Sequence, residues 1–515
     1  MYRLRILVLT VLLAGAIAWQ PLRAANAVGE FSTEARTKLI APHLADIDRE
    51  FRDYAEKKRL PGAAWGIVLD GALVHSGTLG WADVERRVAV GPETRFRIAS
   101  MTKSFTAAAI LRLRDAGKLS LHDPVKIHVP EFAAAKPATA DAPVVRIEHL
   151  LTMSAGFPED NPWGDRQLDQ RDADFSKFLS GGISTASTAG TAYEYSNLGY
   201  ALLGRIITAV AGVPYQEYIR REILEPLGMK ETVWDPRDVP AGKAALGYRA
   251  VEETWRSEPM LADGAYGAMG GLITTLPDFA RYAAMHLAAW PPRNDAETYP
   301  VRRATLREMH QPRMPSGFAA SDKSLAGEPQ PNVSGYGFGL VWNLDSRGTV
   351  RIGHSGGLPG FGSNWRFFPD HGFAVVSFAN GTYAGMSAVN SRVGAILVEK
   401  AGMPRRPVGV SPILAQRQRE LSDVLLRRNH NEATHPFAMN FFLDHDRARW
   451  RREADEMLER VGKPIAVSKL QPVNNLRGKF RIEGPNGSVE AFFTLTPEQI
   501  PLVQELRLRF LPAER

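Results

Sequence analysis

The stretch FRIASMTKSF, residues 96–105, decides how the rest of this sequence is interpreted. It places Ser100 three residues before Lys103, at the front of the small-residue run TAAAILRL. Residues at this spacing lie on one face of a helix, with Cβ atoms about 5–6 Å apart. Most such serine–lysine pairs belong to solvated helix surface. This one is the only S-x-x-K in the chain, and it lies between the apolar residues Ile98 and Phe105.

The Ser100–Lys103 pair suits nucleophilic catalysis. A serine hydroxyl is a poor nucleophile until a base removes its proton. A desolvated lysine has a lowered pKa and can serve as that base. The free N–H groups of a first helical turn also favour negative charge. Ser100 is therefore a candidate nucleophile and Lys103 its candidate base, although the spacing alone is weak evidence for these roles.

A second polar element, Tyr195-Ser196-Asn197, is the only Y-x-N in the sequence. A phenol beside a lysine can relay a proton, and an asparagine amide can bind both a lysine and a substrate carbonyl. Ser196 or Asn197 is also a typical N-cap for the apolar run that follows. The catalytic and the capping interpretations are compatible.

A third element, His354-Ser355-Gly356, follows a predicted strand and is succeeded by Gly357. Glycine at a strand end lets a substrate approach the backbone, so the N–H of Gly357 is a candidate donor to an oxyanion. The same three letters begin at His75, but they precede the serine–lysine pair and fall in an early hairpin. We expect His75 to be an ordinary strand residue.

The segments SMTK, YSN and HSG, in that order, resemble the three motifs of the serine β-lactamase and penicillin-binding protein superfamily. Y-x-N in place of S-D-N resembles the class C-like branch, which includes D-aminopeptidases, D-Ala-D-Ala carboxypeptidases and esterases. The resemblance runs from Ile40 to Gly402 and includes the flanking segments LLTMSAGFP, LEPLGM, YGFGLVW and GHSGGLPGF.

The resemblance implies a role for each motif residue. Ser100 would be acylated, while Lys103 and Tyr195 would act as coupled general base and acid. Asn197 would bind substrate and lysine. The site strand would supply His354, Ser355, Gly356 and Gly357 to the substrate, with the N–H groups of Ser100 and Gly357 holding the oxyanion. No counterpart of the acidic deacylation loop of class A enzymes is visible in the sequence.

His354 departs from the best-known members of the superfamily, which carry lysine at this place. A lysine supplies a fixed cation for the carboxylate of a β-lactam or a D-Ala terminus, whereas histidine is mostly neutral near pH 7. We therefore expect weak β-lactamase activity and better cleavage of esters or amides that lack this carboxylate. Arg366 is an alternative source of this cation, although we favour the interpretation that it is a surface arginine on a strand.

The order of predicted elements indicates an α+β fold, an α/β sandwich. An antiparallel sheet, assembled from strands on both sides of an inserted mainly helical subdomain, is flanked by helices. We predict a catalytic domain at residues 28–404 and a small C-terminal α+β domain at residues 405–515, joined near Pro404 and Pro407. The segments at residues 156–191 and 317–334 are expected to be loops that set specificity.

The composition and the N-terminal segment limit the binding partners and the cellular location that we expect. Residues 1–27 have a basic start, an apolar run and an A-x-A end, which is typical of a cleaved signal peptide and predicts a periplasmic or secreted protein. An uncleaved anchor is the alternative. Without the three leader arginines the formal net charge falls from +7 to +4, and no basic patch suggests nucleic acid. Beyond the leader no segment predicts a membrane span.

The sequence predicts no cofactor and no metal. It contains no cysteine, no H-E-x-x-H and no P-loop. The expected partner is a small-molecule or peptide-like substrate, and no oligomeric state is predicted. Three functions remain open: an esterase or D-aminopeptidase-like hydrolase, a β-lactamase or D-Ala-D-Ala carboxypeptidase, and a non-catalytic sensor of muropeptides or β-lactams. A C-terminal domain that dominates function as a binding module is a further possibility.

Overall fold

A computed structural model describes residues 32–426 and 436–513 of the chain. The predicted signal peptide lies outside the described residues. The strands are β1 (Gly62–Leu69), β2 (Ala72–Asp83), β3 (Val88–Ala89), β4 (Phe96–Arg97), β5 (Tyr248–Val251), β6 (Thr254–Ser257), β7 (Ile273–Thr274), β8 (Met314–Ala319), β9 (Asn332–Tyr336), β10 (Val341–Asp345), β11 (Val350–Leu358), β12 (Phe361–Phe368), β13 (Phe373–Ala379), β14 (Ala466–Val467), β15 (Gln471–Asn474), β16 (Arg477–Gly484), β17 (Gly487–Leu495) and β18 (Val503–Pro512).

The helices alternate with these strands, and most of them lie between β4 and β8. They are α1 (Thr33–Ile40), α2 (Leu44–Lys58), α3 (Thr102–Asp115), α4 (Val125–His128), α5 (Ile147–Leu151), α6 (Asp172–Ser180), α7 (Asn197–Ala211), α8 (Tyr215–Ile219), α9 (Gly267–Gly270), α10 (Leu276–Ala288), α11 (Arg303–Met309), α12 (Ser387–Ala395), α13 (Pro412–Leu425), α14 (Phe441–Asp444) and α15 (Arg447–Val461). Short 3₁₀ turns occupy Ala41–His43, Ala99–Met101, Pro130–Ala134, Gly164–Arg166 and Pro236–Asp238, and π turns occupy Arg220–Leu224 and Ile396–Lys400.

The main sheet has nine strands in the order β3-β2-β1-β13-β12-β11-β10-β9-β8, and its neighbouring strands are antiparallel. Strands from the two ends of the segment meet where β1 pairs with β13. The mainly helical block is inserted between these groups of strands. The predicted α+β fold is confirmed.

The central strand β1 is buried along its whole length because both faces of the sheet are covered. Ala64 and Val68 pack into the larger core, which includes α3, α7 and α10. Trp65, Ile67 and Leu69 pack into a second core beneath α2 and α12. This alternation follows from the two-residue period of a strand.

Two segments predicted to be loops contain regular structure. Residues 317–334 include the end of β8 and the start of β9, which form one edge of the main sheet. Edge strands need little apolar alternation, and Phe318 is 69% exposed. Residues 156–191 include a 3₁₀ turn and helix α6. The expectation that the whole of both ranges is loop was wrong.

The turn between β1 and β2 binds both ends of the larger part of the chain. Asp70 accepts from the guanidinium of Arg36, which belongs to α1 and is 1% exposed. It also accepts from Arg406 Nη2 at 2.8 Å. Arg406 Nη1 in turn donates to the carbonyls of Leu287 and Trp290.

The C-terminal residues build a hydrophobic core of their own. A five-stranded sheet, β14 to β18, packs with α13, α14 and α15. Its core includes Leu414, Phe441, Phe480 and Phe493. The boundary of this part at residue 404 stays a prediction.

Within residues 32–426 and 436–513, no single helix has the length and apolar character to cross a bilayer. The segments Asn197–Ala211 and Tyr215–Leu224 pass that test only when taken together, and they are bent by 78° at their junction.

Candidate active site

Ser100 lies in a tight turn between a short strand and a buried helix. The strand β4 pairs with β7, the 3₁₀ turn Ala99–Met101 follows, and α3 begins at Thr102. Ser100 therefore lies in the 3₁₀ turn that precedes the α-helix, and the i, i+3 spacing still brings it within 2.9 Å of Lys103 Nζ. Ala99 has a φ of +49°, a left-handed conformation that is uncommon for alanine. The next residue, Ser100, lines a cavity.

Lys103 is 0% exposed and has three hydrogen-bond partners. Its Nζ lies 2.9 Å from Ser100 Oγ, 2.7 Å from Asn197 Oδ1 and 2.9 Å from the carbonyl oxygen of Met269. Burial lowers the pKa of Lys103 to about 7, against the opposing charges of Asp165 and Asp160. The amine is therefore close to half neutral at neutral pH.

The three partners suit a neutral amine. Asn197 Oδ1 and the Met269 carbonyl can only accept, so they take the two N–H bonds of an uncharged amine. The Ser100 hydroxyl can reverse its role and donate to the remaining lone pair. Neutral Lys103 is thus positioned to take the proton of Ser100.

Tyr195 lies on the other side of the same serine. Lys103 Nζ lies 5.0 Å from the centre of the Tyr195 ring, and the centre of that ring is 6.2 Å from the centre of the His354 ring. Burial raises the pKa of Tyr195 well above its usual value, although contact with the Ser100 hydroxyl opposes this. The phenol remains protonated, so it suits proton transfer to a leaving group better than initial proton removal.

Asn197 begins α7 and is held from two sides. Ser196 is the N-cap and accepts from Gly199 N, so the capping interpretation of this motif is correct. The side chain of Asn197 nevertheless turns to the site, where Oδ1 binds Lys103 and Nδ2 donates to Asn161 Oδ1 at 2.6 Å. The capping residue Ser196 and the site residue Asn197 are adjacent in the chain, so the capping and the catalytic interpretations of this motif both hold.

An acidic loop that sequence analysis missed supports Asn197. Asp160 accepts from the backbone N–H groups of Asn197 and Leu198 at 2.7 and 2.8 Å, at the positive end of α7. Asp165 accepts from Asn197 Nδ2 at 3.2 Å and from the Tyr383 hydroxyl at 3.0 Å. Burial raises the pKa of Asp165, while the charge of Lys103 opposes the shift.

No local pattern in the segment PEDNPWGDR distinguishes these acids from ordinary loop residues. Only the density of Asp and Asn there could have pointed to the site.

The strand β11 lies directly against the turn that carries Ser100. A Cβ atom on Gly356 would be 2.2 Å from the carbonyl oxygen of Ile98 and 2.3 Å from Ser363 Oγ. The close approach therefore requires glycine. Gly357 follows on the same strand and faces the ring of Tyr383, 3.0 Å from where its Cβ would be.

His354 is 4% exposed and is held in one tautomer. Its Nδ1 donates to the carbonyl of Ser355, so its Nε2 accepts from the Tyr336 hydroxyl at 2.9 Å. Burial, with a further contribution from the charge of Lys103, lowers the pKa of His354 to about 3. It is neutral at physiological pH. The Ser355 side chain is exposed and accepts from Asn364 Nδ2 at 2.9 Å.

These groups line one cavity of about 390 Å³, the Ser100 cavity. It contains Ser100, Tyr195, all four predicted residues of β11, and also Asp165 and Tyr383. Lys103 and Asn197 lie behind the lining residues, where Lys103 contacts Ser100 and Asn197 contacts Lys103. The structure thus brings together every predicted site residue.

The family model for Beta-lactamase matches residues 47–398. The chain belongs to the Beta-lactamase family. The match covers the main sheet from β1 to β13 and all three sequence motifs, so this family member has the serine hydrolase fold of the family with the motifs in the expected order.

A staphylococcal protein is among the relatives that are similar in sequence to this family member. The protein flp of Staphylococcus aureus strain N315 is 28% identical over 350 residues, which are 67% of this chain and 64% of that relative. The chain thus spans less than two thirds of the relative's length.

Among solved structures, the octameric penicillin-binding protein homologue of Pyrococcus abyssi is similar with a TM-score of 0.56 and 22% identity, over 91% of this chain and 98% of the other. A class C β-lactamase is similar with a TM-score of 0.54 and 20% identity, over 71% and 98%. These likenesses show the fold.

Two other sequence candidates lie outside the site of this Beta-lactamase family member. His75 is in β2, and its Nε2 lies 2.8 Å from Asp48 Oδ1. Arg366 is in β12, does not line the Ser100 cavity and lines a different one. No group of three or more His, Asp or Glu in the described part of the chain is placed to hold a metal ion.

Proposed function

We propose that this chain is an exported serine hydrolase that cleaves esters or amides through an acyl-enzyme on Ser100. The observation that carries the proposal is the 2.9 Å contact between Ser100 Oγ and the buried amine of Lys103, whose pKa is lowered to about 7. An amine with this pKa is a competent base at neutral pH.

The acylation step follows from the contacts. Lys103 takes the proton of Ser100 as Oγ attacks the substrate carbonyl, and the N–H groups of Ser100 and Gly357 receive the developing oxyanion. The protonated amine is held by Asn197 and the Met269 carbonyl. Tyr195 gives its proton to the leaving alkoxide or amine and is reprotonated from Lys103.

Deacylation is the same step with water as the nucleophile. Water enters the Ser100 cavity, loses a proton towards Tyr195 and Lys103, and attacks the acyl carbonyl. Ser100 Oγ then leaves and recovers that proton. The atoms and charges balance without a cofactor.

The charges around the Ser100 cavity favour substrates without a carboxylate. No lysine or arginine is among its described lining residues, and His354 is neutral. Asp165 adds an acidic group, 2% exposed, to the same wall. A carboxylate would enter this cavity without a counter-charge, which is costly. We therefore propose neutral esters, and amides with a free amine, ahead of β-lactams and D-Ala-D-Ala peptides.

A substrate panel tests this proposal. The purified protein is assayed with p-nitrophenyl esters, D-amino acid amides, D-Ala-D-Ala peptides and nitrocefin. We expect turnover of esters or D-amino acid amides to exceed nitrocefin hydrolysis. Rates on cephalosporins typical of dedicated resistance enzymes would overturn the specificity, and no turnover of any member would favour a non-catalytic sensor.

A labelling experiment assigns the nucleophile. A fluorophosphonate should add one mass increment to the intact protein, and Ser100→Ala should abolish it and lower kcat/KM by about 1,000-fold. Ser104→Ala is the matched control, because Ser104 is on α3 but donates to the Met101 carbonyl. Labelling that persists in Ser100→Ala would contradict the assignment.

Export is proposed from the leader at residues 1–27. N-terminal sequencing of the protein from cells should begin at Val28, and an intact leader would support the anchored alternative.

A further inference from the structure

A second cavity lies on the opposite side of the main sheet. This outer cavity, of about 370 Å³, is bounded by strands β8 to β12 and by helix α12. It shares no lining residue with the Ser100 cavity. Its volume is within the range of sites for small molecules.

Two arginines face the outer cavity from adjacent strands. Arg366 of β12 lies opposite Gly353 of β11, and Arg351 is two residues before Gly353, so both side chains are on one face of the sheet. Within residues 32–426 and 436–513, neither guanidinium group forms a hydrogen bond or an ion pair, and the buried Nε of Arg351 has no acceptor. Two guanidinium groups thus face one space without direct partners.

The other charges of the outer cavity are largely engaged. Arg347 pairs with Glu399 at 3.3 Å, and Arg392 pairs at 2.6 Å with Glu50. Asp345 accepts from the turn N–H groups of residues 347 and 349 and from a glutamine side chain.

Asp322 is the carboxylate that favours the charged form of Arg366, and it already accepts from the side chain of Asn332. Burial lowers the pKa of Arg366 to about 10, and the like charge of Arg351 contributes to this. Positive charge in the outer cavity is therefore incompletely neutralised.

We propose that the outer cavity binds a compact oxyanion with at least two negative charges, a phosphate or a dicarboxylate, between Arg351 and Arg366. Guanidinium groups match both chemistries because each presents parallel N–H donors to two oxygens. A doubly charged anion offsets both cations and supplies acceptors for their free N–H groups. This site is separate from the reaction at Ser100 and does not depend on the proposed function.

Thermal unfolding of the full chain tests the proposal. Inorganic phosphate and succinate are each titrated into the protein, with sodium chloride at matched ionic strength as the reference. We expect at least one of the two at 10 mM to raise Tm by about 2 °C over the sodium chloride value. A shift with phosphate alone or with succinate alone identifies which oxyanion source fits.

Charge-removing variants locate the effect. Arg351→Gln and Arg366→Gln should each remove most of the anion-dependent shift while leaving ester hydrolysis unchanged. Arg366→Lys keeps the charge and should keep a smaller shift, even if the glutamine variants fold poorly. Arg449→Gln, which removes an exposed charge of the C-terminal part, should keep the full shift.

Two results would overturn the proposal. One is equal stabilisation by phosphate, succinate and sodium chloride. The other is an anion-dependent shift in Arg351→Gln and Arg366→Gln as large as that of the unaltered chain.

Discussion

Lys103 is the residue whose ionisation should control the activity. Its amine is buried against Ser100 Oγ, and its pKa is lowered to about 7. Protonation removes the base, so kcat/KM for an ester should fall as the pH drops through about 7 and level off above it. A stopped-assay pH profile with a p-nitrophenyl ester measures this directly.

Lys103→Arg provides the control for the pH profile. Arginine keeps a positive charge at every assay pH. The variant should lose about 1,000-fold in kcat/KM and show no inflection near neutrality. A profile of the unaltered enzyme that is flat from about pH 5 to 9 would contradict Lys103 as the base.

Tyr195 should matter for proton transfer rather than for binding. Tyr195→Phe removes only the hydroxyl that faces Ser100, so we expect kcat to fall by about 100-fold with little change in KM. Steady-state kinetics on one ester measures both constants. Tyr193→Phe is the matched control, because Tyr193 packs against Tyr336 instead and should keep nearly full activity. Equal losses in the two variants would rule out a specific role for Tyr195.

Individual site residues were predictable where the chemistry is local. Ser100 and Lys103 are one turn apart, so their contact follows from their spacing alone. Asp165 was missed because its partners are distant in sequence, and Tyr383 lies 218 residues away. Such a contact depends on how the segment between β13 and α12 meets the acidic loop in three dimensions.

At the scale of elements, β11 depends on a glycine. Gly356→Ala would force a Cβ against the carbonyl of Ile98, so the strand or the Ser100 turn must shift. We expect a loss of about 1–3 kcal/mol in the free energy of unfolding, together with a large loss of activity. Urea unfolding and ester kinetics measure the two effects.

Gly317→Ala is the control for this strand substitution. Gly317 is on the edge strand β8, and a Cβ atom added to it would have no heavy atom of the described residues within 4 Å beyond its chain neighbours. The substitution should leave stability and activity nearly unchanged. Similar losses in both variants would show that β11 does not need glycine for close packing.

Elements with strong local signals were predicted well. Asp70 and Gly71 have φ values of +49° and +98°, the left-handed pair that a two-residue hairpin turn favours, and they join β1 to β2 as expected. The edge strand β8 was missed, together with its neighbour β9, because Pro315, Gly317 and an exposed Phe318 interrupt the usual alternation in β8. Their pairing is set by the rest of the sheet.

At the scale of the whole molecule, the C-terminal part should be dispensable for hydrolysis. A chain that ends at Pro407 keeps Arg406 and its contacts with Asp70, Leu287 and Trp290, so it should retain ester kinetics within about twofold. Activity assays and thermal unfolding of the shortened chain test this. A complete loss of turnover would show that the C-terminal part takes part in the reaction.

A second truncation measures how much the contacts of Arg406 contribute to stability. A chain that ends at Met403 lacks Arg406 and leaves Asp70 with fewer partners. We expect its free energy of unfolding to be lower by about 1–3 kcal/mol than that of the chain ending at Pro407. Equal stability of the two chains would mean that these contacts contribute nothing.

The shared carboxylate of Asp70 also bears on how the polypeptide can be rewired. Arg36 near the beginning and Arg406 near the end of the larger part are anchored to the same hairpin turn. The beginning and the end of that part therefore lie close together. A circular permutant, with these ends fused by a short flexible linker and new termini opened in a distant surface loop, is a geometrically natural derivative of this protein.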